Sequence, residues 1–193
     1  MLSIFLVRPG CTDFDEQKRI KGSLDIPLSP TGADEVRRVV DDLSGRRLDG
    51  IYCSPCLSAV QTATALATGR DTKVKSLDRL RNLDHGLWHG KLIEEMRVGQ
   101  PKVYRQWQDH PETIRPPEGE TLSEAEARIS KAFRKIFRKH RSGAVAVVIG
   151  DPLASLAARM LTQTDLGDLW KSECDHGSWE LLEVESRQKA LTR

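Results

Sequence analysis

The chain has 193 residues, 38% of them hydrophobic and 30% charged, with a formal net charge of +2. A chain of that length can bury about 70% of its unfolded surface around one core, and a near-neutral charge balance gives no reason to expect nucleic acid as a partner. Its apolar runs stop far short of the ~20 residues of a membrane span, and Met1 to Ile4 has neither the charged segment nor the cleavage site of a leader, so no membrane partner and a cytoplasmic location are expected.

Ile4 to Val7 is a continuous apolar run that breaks at Arg8-Pro9-Gly10, as a buried parallel strand does at its turn. Ser29 precedes Pro30 as an N-cap precedes the first helical residue, and Ala33, Val36, Val39, Val40 and Leu43 then fall on one helical face. Asp49-Gly50 turns the chain into a second strand, Ile51 to Cys53, and Ala59, Ala63, Leu66 and Ala67 mark a small-residue helix suited to close packing on a sheet. Pro101 to Gly119 has no clear period and is expected as an insertion or lid over one end of the sheet. Thr121 and Glu124 form a capping box opening a helix to about His140. Ala144 to Ile149 is a third apolar run, followed by a helix over Leu153 to Leu161 and a last strand over Trp179 to Val184. Strands alternating with helices predict an α/β fold, one three-layer domain over residues 1–193 with a mainly parallel central sheet. In such folds the ligand crevice lies outside the carboxyl ends of the strands, where Arg8, Cys53 to Ser58 and Gly150-Asp151 fall.

The blocks "FLVRPGCTD", "RIKGSLDIPLSPTG", "IYCSPCLSAVQTA", "LRNLDHGLWHGK", "PPEGETLSEAEAR" and "AVAVVIGDPLASLAARML" resemble, in order and spacing, the histidine phosphatase superfamily of phosphoglycerate-mutase-like proteins. The resemblance covers nearly the whole chain and implies that fold. It also implies a phosphoryl transfer in which a histidine attacks phosphorus, two arginines and a second histidine neutralise the equatorial oxygens, and an acid protonates the leaving oxygen. Arg8 matches the first arginine. The nucleophile position holds Pro9, whose nitrogen is locked in an amide. Ser58 replaces the second arginine, and Asn82 replaces the general acid with an amide that cannot release a proton near neutral pH. The second histidine becomes Gly150, or Asp151 if the turn is aligned one residue later. Four of the five positions are lost and only Arg8 remains, so the expectation is a pseudophosphatase without a cofactor that binds a ligand or a protein partner. The alternatives are an active phosphomonoesterase or phosphomutase with a non-standard site, and a thiol or metal protein.

Arg8, with Arg19 and Lys21 in the following loop, offers cations for an anion such as a phosphorylated small molecule; equally, Arg8 is a remnant and the other two are solvated. Cys11, Thr12, Ser58, Asn82 and Asp151 are expected to line the pocket, and an inward Asp151 would pair with Arg8 and fill it. Cys11, Cys53, Cys56 and Cys174 are too irregularly spaced for a disulfide framework. Cys53 and Cys56 have C-x-x-C spacing, but a lone pair is a weak zinc signal and none of Cys11, Cys53 or Cys56 heads a C-x-x-x-x-x-R loop. Small core thiols and no metal are therefore expected. Asp13-Phe14-Asp15 comes too far past the strand tip to supply an aspartyl nucleophile. The five histidines are read as mostly surface or loop residues, and the tryptophans as core or sheet-edge packing. Lys131, Arg134, Lys135, Arg138, Lys139 and Arg141 are read as the solvated face of a basic helix.

Overall fold

The computed structural model describes residues 1–184, so the end of the expected 1–193 domain lies outside the described residues. In chain order the elements are β1 (Leu2–Val7), α1 (Asp13–Glu16), α2 (Pro30–Asp42), β2 (Gly50–Cys53), α3 (Leu57–Ala67), β3 (Val74–Ser76), α4 (Ile93–Gly99), α5 (Pro101–Asp109), α6 (Leu122–Lys139), β4 (Gly143–Val148), α7 (Leu153–Thr162), α8 (Leu169–Ser172) and β5 (Trp179–Val184). The strands form one sheet in the order β3-β2-β4-β1-β5. Neighbours are parallel except that β5 runs antiparallel to β1. The α/β class with a mainly parallel sheet is as the alternating pattern predicts.

Both faces of the sheet are covered, which is why its strands read as unbroken apolar runs. Side chains alternate across a strand, so Leu2, Ile4 and Leu6 pack with Val145 and Val147 against Ile129, Phe133 and Ile136 of α6 and Leu156 of α7. Phe5 and Val7 point the other way, with Ala146 and Val148, toward Val39 of α2 and Ala63 and Leu66 of α3. The helix starts are chemically marked. Ser29 Oγ accepts the Gly32 N–H at 3.2 Å with Pro30 at the first position, and Thr121 and Glu124 close a reciprocal capping box.

Two elements were not read from the sequence. Within the segment 101–119 Pro101 opens α5, a short 3-10 turn follows at Pro111–Thr113, and Trp107 is fully buried in the main core. Its apolar residues are few but large, which hid the period. Strand β3 was not anticipated, because Val74-Lys75-Ser76 has a charge at its centre and pairs with the sheet only on one side.

The turn after β1 is squeezed against the start of α2. A Cβ on Gly10 would lie 2.3 Å from the Gly32 carbonyl oxygen, and one on Gly32 would lie 2.0 Å from that of Cys11. Only two glycines let these backbones meet, and this contact sets where the chain leaves the strand end.

Candidate functional site

The parallel register aligns Val7 with Val148 and Cys53 with Val148. The residues after each strand therefore emerge side by side, and the antiparallel β5 begins beside them at Trp179. Arg8 is anchored by its own N–H, which donates to Ser178 O at 2.8 Å, while Pro9 O accepts from Gly177 N at 2.7 Å. Pro9 is buried and contributes no donor.

The Arg8 guanidinium is already occupied. Nε donates to Asp151 Oδ2, and Nη1 donates to Glu180 Oε1 at 2.8 Å. The Arg8 side chain is 12% exposed and that of Asp151 only 1%, whereas Glu180 is 39% exposed. Burial works against the arginine charge, but Asp151 and Glu180 outweigh it and lift the pKa above its usual value. The second Asp151 oxygen accepts from Ser155 N at 2.9 Å and Ser155 Oγ at 2.6 Å, so the same carboxylate caps the first turn of α7. Asp175 adds a third acid. Its pKa is raised, first by burial and then by the negative charge of Asp151, with Arg8 and His176 opposing. The strand-end site thus sets one guanidinium in contact with two carboxylates, with a third acid close enough to feel their charges.

Asn82 holds this arrangement in place. Its Nδ2 donates to the Asp151 carbonyl at 2.7 Å, and its Oδ1 accepts from Leu83 N at 2.8 Å and Leu153 N at 3.3 Å. The amide thus uses both its donor and its acceptor, which a carboxylate could not do. A side chain on Gly150 would point toward Asn82, with Cβ 3.3 Å from Nδ2. Asp151, not Gly150, supplies the side chain that reaches Arg8. Ser58 is buried in the first turn of α3, where its carbonyl accepts from Thr62 Oγ1 at 2.8 Å.

Lys21 and Arg19 do not join Arg8 as anion-binding cations, contrary to the expectation from their loop. Lys21 Nζ donates to both Asp15 oxygens at 2.7 and 2.8 Å in a buried pair, and Thr12 adds its N–H and Oγ1 to Asp15 Oδ2, each at 2.7 Å. Lys21 is thereby neutralised inside the fold. Arg19 donates to Gly90 O and Gln17 Oε1, both at 2.7 Å, so its guanidinium braces two loops.

Cys11 is buried and its N–H donates to Glu35 Oε2, which also meets His176 Nδ1, each at 2.9 Å. Burial, then the charges of Asp15 and Glu35, push the Cys11 thiol up to about 11, and burial likewise pushes Cys53 to about 11. Neither forms a thiolate readily near neutral pH. Cys56 is buried and Cys174 exposed, all four as free thiols. Among the described residues no three His, Cys, Asp or Glu side chains gather closely enough to hold a metal.

All five histidines lie in loops or turns, as expected, but two of them are buried. His85 is fully buried, hydrogen-bonded to buried Glu173 and ringed by Trp88 and Trp107 at centroid distances of 6.2 and 5.6 Å. His140 is buried with Nε2 2.8 Å from the Tyr52 hydroxyl. Sequence reasoning had no means of finding Glu180, Asp175 or Glu173, because each meets its partner only through the return of β5 or the α8 turn. The tryptophans pack as expected: Trp88, Trp107 and Trp170 lie in the core and Trp179 stacks obliquely on Phe5 at the sheet edge.

The sheet order β3-β2-β4-β1-β5 thus sets an arginine at the tip of the first strand and turns the segment after β4 to face it. The model of the histidine phosphatase superfamily (branch 1) matches residues 4–193, and the chain belongs to that family. Phosphoserine phosphatase 1 of Hydrogenobacter thermophilus is 28% identical over 194 residues, covering 100% of this chain and 92% of that protein. Phosphoglycerate mutase-like protein 4 of Arabidopsis thaliana is 28% identical over 160 residues, covering 81% and 70%. Among solved structures, Bacillus stearothermophilus YhfR superposes with a TM-score of 0.85 at 25% identity, covering 96% of this chain and 93% of that one.

Proposed function

We propose that this protein is a cytoplasmic pseudophosphatase, a superfamily member that works by binding a ligand or protein partner rather than by turnover. The observation that carries the reading is the Arg8–Asp151–Glu180 ion cluster, which fills the strand-end site beside Pro9. Loss of a single charge-stabilising donor lowers a rate by ~10² to 10³, and here the family positions for nucleophile, second arginine and acid hold Pro9, Ser58 and Asn82 together. The ion cluster also argues against Arg8 as an anion holder, since an incoming anion would have to compete with Asp151 and Glu180 for the guanidinium.

A working phosphatase is the second reading, and what supports it is similarity to a relative named phosphoserine phosphatase. It would need a new nucleophile, and the Cys11 thiol is a poor one at a pKa of about 11. The deciding experiment is turnover of phosphoserine, 3-phosphoglycerate and an aryl phosphate by repurified protein, alongside Arg8→Gln. No turnover above buffer is expected. Activity that survives repurification and falls in Arg8→Gln overturns the pseudophosphatase reading.

A further inference from the structure

Two cavities meet where β3 and the following turn run beside the C-terminal half of α6. One, of about 340 Å³, is lined by Lys75, Lys135, Arg138 and Lys139 over a floor of Tyr52 and Leu77. The other, of about 490 Å³, takes Arg79, Lys131 and again Lys135 and Leu77. The shared residues make one continuous groove, and among the described residues Asp78 is the one carboxylate lining it. None of these lysines and arginines has an ion-pair partner among the described residues. Elsewhere on the surface Arg97, Arg115 and Arg128 each hold a glutamate.

The crowding of like charge is severe at one point. The Lys139 ammonium is pushed below the ordinary lysine range, first by the Lys75 nitrogen within hydrogen-bonding reach and then by burial. The helix dipole favours Arg138 and Lys139 in the last turn of α6. It gives no account of Lys131 and Lys135 farther up the helix, or of Lys75 and Arg79 on the facing segment. Lys131, Lys135 and Lys139 are spaced four residues apart on one face, a charged stripe ~12 Å long at 1.5 Å per residue.

We propose that this groove binds a linear inorganic polyphosphate laid along the α6 stripe. A phosphate chain presents charge continuously to both walls. An acidic peptide in extended form would turn alternate side chains away. Single-stranded nucleic acid needs aromatic faces for its bases, and the one aromatic in the groove, Tyr52, is 2% exposed with its hydroxyl tied to His140. A lipid surface needs exposed apolar side chains to insert, and Ala132 is buried and Leu77 half-buried.

The test is titration calorimetry at low salt with orthophosphate, tetraphosphate, a longer polyphosphate, adenosine tetraphosphate, a single-stranded oligonucleotide and polyglutamate. The long polyphosphate should bind tightest, with affinity falling steeply as salt rises. Tetraphosphate should bind alike with and without adenosine, and orthophosphate weakest. The Lys135→Glu/Lys139→Glu variant should weaken polyphosphate binding at least ~tenfold, and the milder Lys135→Gln/Lys139→Gln variant less, with unchanged melting checked in both. Absence of polyphosphate binding, indifference to both variants, or tighter binding of the oligonucleotide, the peptide or the adenosine form overturns the proposal.

Discussion

Replacing Asp151 by asparagine removes one negative charge and keeps the shape. Truncating one partner of a buried ion pair costs ~3 to 5 kcal/mol, because the other charge is left uncompensated. Glu180 stays on Arg8 at 2.8 Å but is 39% exposed, so it compensates only in part. The asparagine oxygen still accepts from Ser155, preserving the α7 cap. The expected loss is therefore somewhat below that range, about 2 to 3 kcal/mol. In a chain of this size each kcal/mol moves the melting temperature by ~2 to 4 °C, so a fall of roughly 5 to 10 °C is expected by differential scanning calorimetry. A Ser155→Ala control, which removes only the 2.6 Å hydroxyl bond, should cost about 1 kcal/mol. The variant should also regain a phosphate response, since a guanidinium freed on one side is an anion site. At a phosphate concentration of 100 Kd the gain would be ~2.7 kcal/mol, whereas the parent protein should show none. A variant that melts within ~2 °C of the parent and responds to phosphate no differently would refute the self-filled site.

Asn82→Asp sets a buried carboxylate against the Asp151 carbonyl and loses the 2.7 Å donor, so denaturant melts should show a loss of about 2 to 4 kcal/mol. Trp107→Ala should cost about 3 to 5 kcal/mol in the same measurement, since the side chain is fully buried; a loss under about 1 kcal/mol would contradict that burial. Asp175 has a folded-state pKa above its unfolded value, so the folded state binds its proton more tightly and ionisation destabilises. The cost is absent below the unfolded value near ~3.9 and grows as pH rises through the folded one. Asp175→Asn should therefore stabilise the protein at pH 7, with the gain disappearing in melts toward pH 3.5, and a gain independent of pH would contradict it.

Much of the architecture was legible in the chain because it rests on local chemistry. The run Ile4 to Val7, the Ser29-Pro30 cap and the Thr121-Glu124 box each carry their cause within a few residues. The family blocks marked Pro9, Ser58, Asn82 and the Gly150-Asp151 turn in the same way, by order and spacing. α5 and β3 were not legible, since a helix with one deeply buried tryptophan and a three-residue edge strand lack a readable period. The fate of each charge was not legible either. Lys21 and Arg19 look like a phosphate-binding loop in sequence and are bound to Asp15 and Gly90 in the fold.

By itself, the sequence determined an α/β chain of the phosphoglycerate-mutase-like kind, because hydrophobic period, caps and motif spacing are properties of neighbours along the chain. The tertiary structure alone decided what Arg8 holds. Its partners stand 143 and 172 residues away, and only the parallel register of β4 and the antiparallel return of β5 bring Asp151 and Glu180 to the same strand end. The same is true of the basic groove, where a helix face read as solvated becomes one wall of a site when Lys75 and Arg79 are folded against it. Charge along a chain has no sign of its partner until packing sets the distance, and Coulombic energy depends on that distance and on burial.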